Sequence, residues 1–177
     1  TDLLRLLNQK ESVTIFDVGA NQGEESELYL EILPKAKVLA FEPGETCYEI
    51  LSRLASQETR FSCYNVGLGE IDEKRIFHES NYTTVSSFLS LEKEGDNVTE
   101  EKQVALRSLD SFCLENNIEH IDLLKIDVQG YDLKVLEGAS KTLTEGRIKC
   151  VLVELPLKPY YKNQADFEEI FIFLKKY

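Results

Sequence analysis

Apolar residues recur along this chain in two periods, one suited to buried strands and one to amphipathic helices. Residues 14–20 (TIFDVGA) form a short β-branched run closed by glycine, which predicts a buried strand. A carboxylate-rich stretch follows, then Leu28, Ile32 and Leu33 at helical spacing, with Pro34 as the stop. Residues 37–43 (KVLAFEP) predict a second buried strand, and Cys47, Tyr48, Leu51, Leu54 and Ala55 one face of a second helix. A third strand is expected over residues 61–68. The region 69–107 is more polar and predicts a short strand at 75–78, an irregular Ser/Thr-rich loop over 79–90 and a strand near 104–106. Ser108, Asp110 and Ser111 offer N-caps for a helix carrying Phe112 and Leu114. Strand character returns at 121–128 (IDLLKIDV). Val135, Leu136, Ala139 and Leu143 predict one further helix, residues 150–155 a fifth core strand, and Phe167, Ile170, Phe171 and Leu174 a last amphipathic helix.

Strands alternating with helices at this spacing imply right-handed crossovers, a mostly parallel sheet and helices on both faces. The expected fold is therefore α/β and doubly wound, and 177 residues suit a single domain over 1–177. The chain contains no methionine and stops inside an apolar helical pattern, so it is expected to be part of a longer protein that lacks its final strands here.

Composition narrows the function classes. No apolar run has the length of a membrane span, and Asp2, Arg5, Lys10 and Glu11 interrupt the N-terminal leucines in a way no signal peptide does. Cys47, Cys63, Cys113 and Cys150 are scattered, with no CxxC and no histidine pair nearby, so a reducing, cytoplasmic setting is expected and no zinc site. The net charge of −12 opposes phosphate backbones, and nucleic acid is not an expected partner. The oligomeric state leaves no trace in the sequence.

Open α/β sheets bind ligands beyond the carboxyl ends of their strands. Four such ends here are polar or glycine-rich: 17–23 (DVGANQG), Glu42-Pro43, 127–130 (DVQG) and Glu154-Leu155-Pro156. Burying a carboxylate is costly unless something pairs with it, so several at one edge suggest a cationic or hydroxyl-rich ligand. A dinucleotide fingerprint needs GxGxxG; here Asn21 takes the second glycine's place and Asp17 would face a phosphate. S-adenosylmethionine carries an ammonium and a sulfonium but no phosphate, which suits Asp17, with Gly19 and Gly23 supplying the tight turn. The alternative is that both glycines serve only the strand-to-helix turn. Glu42, about 20 residues on, is placed to accept ribose hydroxyls, or else to cap the helix after Pro43.

The blocks DVGANQG, FEP, VSSFL, RSLDSF, IDLLKIDVQG and VLEGA, in that order over residues 14–154, resemble the successive signatures of FkbM-type methyltransferases. The resemblance implies a class I methyltransferase fold, S-adenosylmethionine as cofactor and O-methylation of a small molecule or sugar hydroxyl. By position it implies that Asp17, Gly19, Asn21 and Gly23 line the methionine end, Glu42 holds the ribose, and Gly67 and Leu68 flank the adenine. The family often has Glu where this chain has Gln129 and Asp132, so an acid–base role is not carried over to position 129. Asp127, which ends its strand beside the expected methyl position, is the leading general base, with an equal case for a loop-orienting role. Glu154 is a second candidate for base or substrate hydroxyl binding, against a capping role before Pro156. Ser86 and Ser87 are candidates for the acceptor pocket. His78 reads as an ordinary strand residue, His120 as chemically silent, and no ligand spacing calls for a metal. Two alternatives stay open: an NAD-dependent oxidoreductase and a non-catalytic nucleotide-binding domain.

Overall fold

A computed structural model describes residues 2–80, 83–90, 98–158 and 160–177. Its centre is a five-stranded parallel sheet in the order β3-β2-β1-β7-β8. The strands are β1 (Val13–Val18), β2 (Ala36–Phe41), β3 (Phe61–Tyr64), β7 (Leu123–Ile126) and β8 (Val151–Val153). Alternate residues of β1 feed two separate cores, because successive side chains leave a strand on opposite faces. Phe16 and Val18 join Phe41, Leu124 and Ile126 beneath α4 (Leu109–Glu115), α5 (Asp132–Glu137), α6 (Ser140–Thr144) and α7 (Phe167–Leu174). Val13 and Ile15 join Val38, Ala40 and Leu123 beneath α1 (Asp2–Asn8), α2 (Glu24–Ile32) and α3 (Glu45–Ala55). Helices thus cover both faces, and the sheet is doubly wound as its sequence predicts.

On the α4 side an aromatic cluster fills the core. Phe112 stands edge-on to Phe41 and to Tyr64, with ring centres 4.8 Å apart in each case. Such pairs add about 0.5–1.5 kcal/mol each beyond their burial. Ser108 caps α4 by accepting the Ser111 N–H at 3.2 Å, and Asp166 with Glu169 forms a reciprocal capping box on α7.

Four expectations need correction. The strand expected over 61–68 breaks at Asn65, whose amide donates to the carbonyls of Glu42 (3.0 Å) and Pro43 (3.1 Å). Beyond the break, β4 (Gly67–Leu68) joins a second sheet of order β4-β6-β5, in which β5 (Glu73–Ser80) and β6 (Val98–Arg107) run antiparallel. That hairpin is longer than the polar sequence suggests, and it extends β5 through residues 79–80, expected as loop. The helix expected around 135–143 is two, α5 and α6, broken where Gly138 passes so close to Gly69 that a Cβ would lie 1.9 Å from its carbonyl oxygen. Finally, β8 is the outer strand of the sheet rather than a core strand, with Leu152 47% exposed. All four cysteines are free. Among the described residues no helix is long and apolar enough to cross a membrane, and no three metal-ligating side chains converge.

Candidate active site

The carboxyl ends of β2, β1 and β7 lie side by side, and the turn after β1 forms the floor between them. Gly19 has φ 77°, and a Cβ there would lie 1.9 Å from the Asp127 carbonyl oxygen, so only glycine lets the ends of β1 and β7 approach. Its N–H donates to the Phe41 carbonyl at 3.0 Å, which ties the turn to β2. Asn21, also left-handed at φ 48°, turns its N–H to Glu42 Oε2 (2.9 Å), and Gly44 N–H donates to Glu42 Oε1 (2.8 Å). Asn21 Oδ1 accepts from the buried Cys47 thiol at 3.0 Å. Burial pushes Glu42 up to about 7 in spite of those two N–H donors, with the charges of Asp17 and Glu79 adding to the rise.

Asp17 is fully buried and reaches neither cleft described below. It stands in register with Lys125 on the adjacent strand, so the two side chains share a face. Lys125 Nζ lies 3.0 Å from Asp17 Oδ1 without a directed hydrogen bond, while Ser26 donates to Oδ2 at 2.6 Å. Lys125 also donates to the Gly19 carbonyl (3.3 Å) and sits 3.5 Å from Glu25. Burial works against its charge, but Asp17 foremost, then Glu25 and Asp127, outweigh it and raise its pKa. The charge expected to meet a ligand's ammonium is therefore balanced inside the protein. Lys125 was legible only as one residue of a strand; the signal was its place opposite Asp17, which needs the register.

At the end of β7, Asp127 Oδ1 accepts from Gln129 Nε2 at 2.7 Å. Glu154, expected as a second catalytic group, meets the Asp127 side chain and lines neither cleft. Its pKa is raised by burial first and then by the Asp127 charge and hydrogen bond. Asp132, buried, accepts from the N–H groups of Val128 (3.3 Å) and Gly130 (3.1 Å) and is pushed up to about 6, chiefly by burial.

Two adjoining clefts open above these strand ends. The first, about 590 Å³, is lined by Gly19, Asn21, Glu42, Gly67, Leu68 and Asp127 and walled by Phe41, Phe77 and Phe88. The second, about 630 Å³, shares Gly19, Asn21 and Asp127 and adds Glu24, Glu25 and Lys125. Thr83 and Thr84, in the 3₁₀ turn Thr83–Val85, line both. Of the serines expected near the acceptor, Ser86 lines the first cleft, whereas Ser87 Oγ donates to the Gln129 carbonyl at 2.7 Å and accepts from Leu89 N–H at 3.0 Å. Gly23 stands apart from both clefts: it caps α2 at φ 90°, and a Cβ would lie 2.7 Å from Leu51 Cδ2.

The Methyltransferase FkbM domain family matches this chain over residues 17–177. The chain belongs to the FkbM methyltransferase family. Three curated proteins resemble this FkbM domain. The 2-O-methyltransferase NoeI of Sinorhizobium fredii (strain NBRC 101917 / NGR234) is 28% identical over 93% of the chain and 72% of its own length. Methyltransferase sdnD of Sordaria araneosa is 28% identical over 79% of the chain and 65% of its own length. The AMB antimetabolite synthetase AmbE of Pseudomonas aeruginosa is 30% identical over 70% of the chain, which spans only 7% of that protein. No solved structure matches significantly. The FkbM domain here is a methyltransferase domain, and none of these matches favours the oxidoreductase alternative.

Proposed function

We propose that this domain binds S-adenosylmethionine across the carboxyl ends of β2, β1 and β7 and methylates a hydroxyl of a small molecule or sugar. The observation that carries the reading is that Glu42 and Asp127 line one cleft from opposite flanks of the β1 turn. The donor set fits that cofactor. Among the charged lining residues the carboxylates Glu24, Glu25, Glu42 and Asp127 outnumber Lys125, which is already paired, so a phosphate-bearing dinucleotide would meet repulsion where a sulfonium and a ribose would not. Bound there, the cofactor would supply a methyl carbon already activated for in-line displacement.

The chain's own residues then have distinct tasks. Glu42, held by two backbone N–H groups, accepts ribose hydroxyls. The apolar end of the first cleft, between Leu68, Phe77 and Phe88 beside Gly67, takes the adenine, where a Cβ on Gly67 would lie 2.4 Å from the Phe88 ring. Asp127 receives the acceptor's hydroxyl proton, a contribution of about 10²–10⁴ in rate. Glu154 backs Asp127 from outside the cleft. Asp17 keeps Lys125, and through it the Gly19 carbonyl, in place. Holding acceptor and donor in line supplies the larger share, up to about 7–11 kcal/mol in favourable cases. The name of NoeI, a 2-O-methyltransferase, supports oxygen as the methylated atom.

The test is transfer of a labelled methyl group from S-adenosylmethionine to a panel of sugars and small polyols. Incorporation by the wild type that falls at least about 100-fold in Asp127→Asn supports the reading. Undiminished transfer by that variant would remove Asp127 from the chemistry.

A further inference from the structure

Gln129 occupies a place that the proposed methyl transfer does not use, yet its side chain is tied at both ends beside the cleft. Its backbone is left-handed, φ 54°, a conformation that costs a non-glycine residue free energy and persists only when its surroundings impose it. Here Ser87 Oγ donates to its carbonyl at 2.7 Å, while Asp132 holds the N–H groups on either side. The side-chain amide is then fixed at both ends. Nε2 donates to Asp127 Oδ1 at 2.7 Å, and Oε1 lies 3.1 Å from the hydroxyl of Tyr161, which is 3% exposed and shares its proton between Oε1 and the Val85 carbonyl at 3.2 Å. The chemistry dictates the amide's orientation. A flipped amide would set its oxygen against the Asp127 carboxylate, whereas the Tyr161 hydroxyl, which can donate or accept, suits either end, so Asp127 decides the orientation.

The geometry points to Gln129, braced by Tyr161, as a positioning residue that aims the Asp127 carboxylate into the cleft. Glu154 touches Asp127 from outside the cleft; Gln129 is the neutral donor that holds Asp127 without competing for a proton. A carboxylate in the same position would add a third negative charge beside Asp127 and Glu154. Tyr161 carries the same link to the turn that presents Thr83 and Thr84, so one hydroxyl joins the base and the cleft wall.

The inference rests on the cofactor reading above, and its test needs no acceptor. S-adenosylhomocysteine carries nothing at the methyl position, whereas sinefungin carries a protonated amine there. A fixed carboxylate beside that position favours sinefungin, by roughly tenfold for one charge-assisted hydrogen bond. Calorimetric affinities for both analogues are compared in the full chain, in Gln129→Ala and in Tyr161→Phe, which keeps the ring and its packing. The expected result is that Gln129→Ala shrinks the preference for sinefungin to about twofold and Tyr161→Phe to an intermediate value, with S-adenosylhomocysteine affinity held. Equal losses for both analogues would mark Gln129 as merely structural and overturn the proposal, and so would a preference unchanged in both variants. A wild type that fails to bind S-adenosylhomocysteine would overturn the cofactor reading itself.

Discussion

Replacing Lys125 with methionine keeps most of the side chain's volume and removes its charge, which leaves Asp17 alone in the interior. Asp17 is 0% exposed, and its remaining donor is Ser26 at 2.6 Å on Oδ2. Removing one partner of a buried pair costs about 3–5 kcal/mol, because the other charge stays uncompensated. Glu25, whose side chain is 53% exposed, adds little to that figure, since water screens it. The Gly19 carbonyl also loses its 3.3 Å donor, which loosens the β1 turn. For a domain of this size each kcal/mol moves the melting temperature by about 2–4 °C, so Lys125→Met should lower it by roughly 6–20 °C at neutral pH. The double variant Asp17→Asn/Lys125→Met no longer buries a charge and should recover most of the loss. Thermal and urea unfolding of the wild type, the single and the double variant read this directly. A single variant within about 1 kcal/mol of wild type, or a double variant no more stable than the single, would refute the view that these two residues neutralise each other.

Other outcomes follow from the same contacts. Burial raises Glu42 to about 7, so the folded chain holds a proton that the unfolded chain releases near pH 4.5, and stability falls as pH rises between those values. Glu42→Gln should therefore gain on the wild type by up to about 3 kcal/mol between pH 4.5 and 7, and a difference independent of pH in urea titrations would contradict that. Gly19→Ala should fail to fold or lose cofactor binding outright, because its Cβ would meet the Asp127 carbonyl at 1.9 Å; unchanged circular dichroism and affinity would count against the close approach. Gly67→Ala, by crowding the buried Phe88 ring at 2.4 Å, should weaken S-adenosylhomocysteine binding and cost about 1–3 kcal/mol of stability, and calorimetry beside a thermal melt in which neither changes would count against the contact.

What the sequence made legible is what two-residue and 3.6-residue periods encode. The buried runs around Phe16, Val38 and Leu124 announce strands covered on both faces, and the fold class follows from their alternation with helices. Glu42, Gly67, Leu68, Asn21 and Asp127 reach the first cleft because strand ends are where such folds leave polar side chains. Register is not written in a single strand, so the pairing of Asp17 with Lys125 stayed hidden, as did the turning of Glu154 toward Asp127. The β5–β6 hairpin reads shorter in the sequence than it is because the face that buries Phe77 and Leu106 also carries Arg75, Glu79 and Lys102, which breaks the alternating apolar pattern that usually marks a strand. Tyr161 lies in a segment without regular structure, and only tertiary contact connects it to Gln129.

Calorimetric titration of the protein with S-adenosylmethionine and, separately, with NAD tells the two cofactor classes apart at this cleft. S-adenosylmethionine should bind in the micromolar range and at least about tenfold more weakly in Glu42→Gln, and NAD should give no heat. Binding of NAD in preference, or no binding of S-adenosylmethionine, would contradict the proposed cofactor.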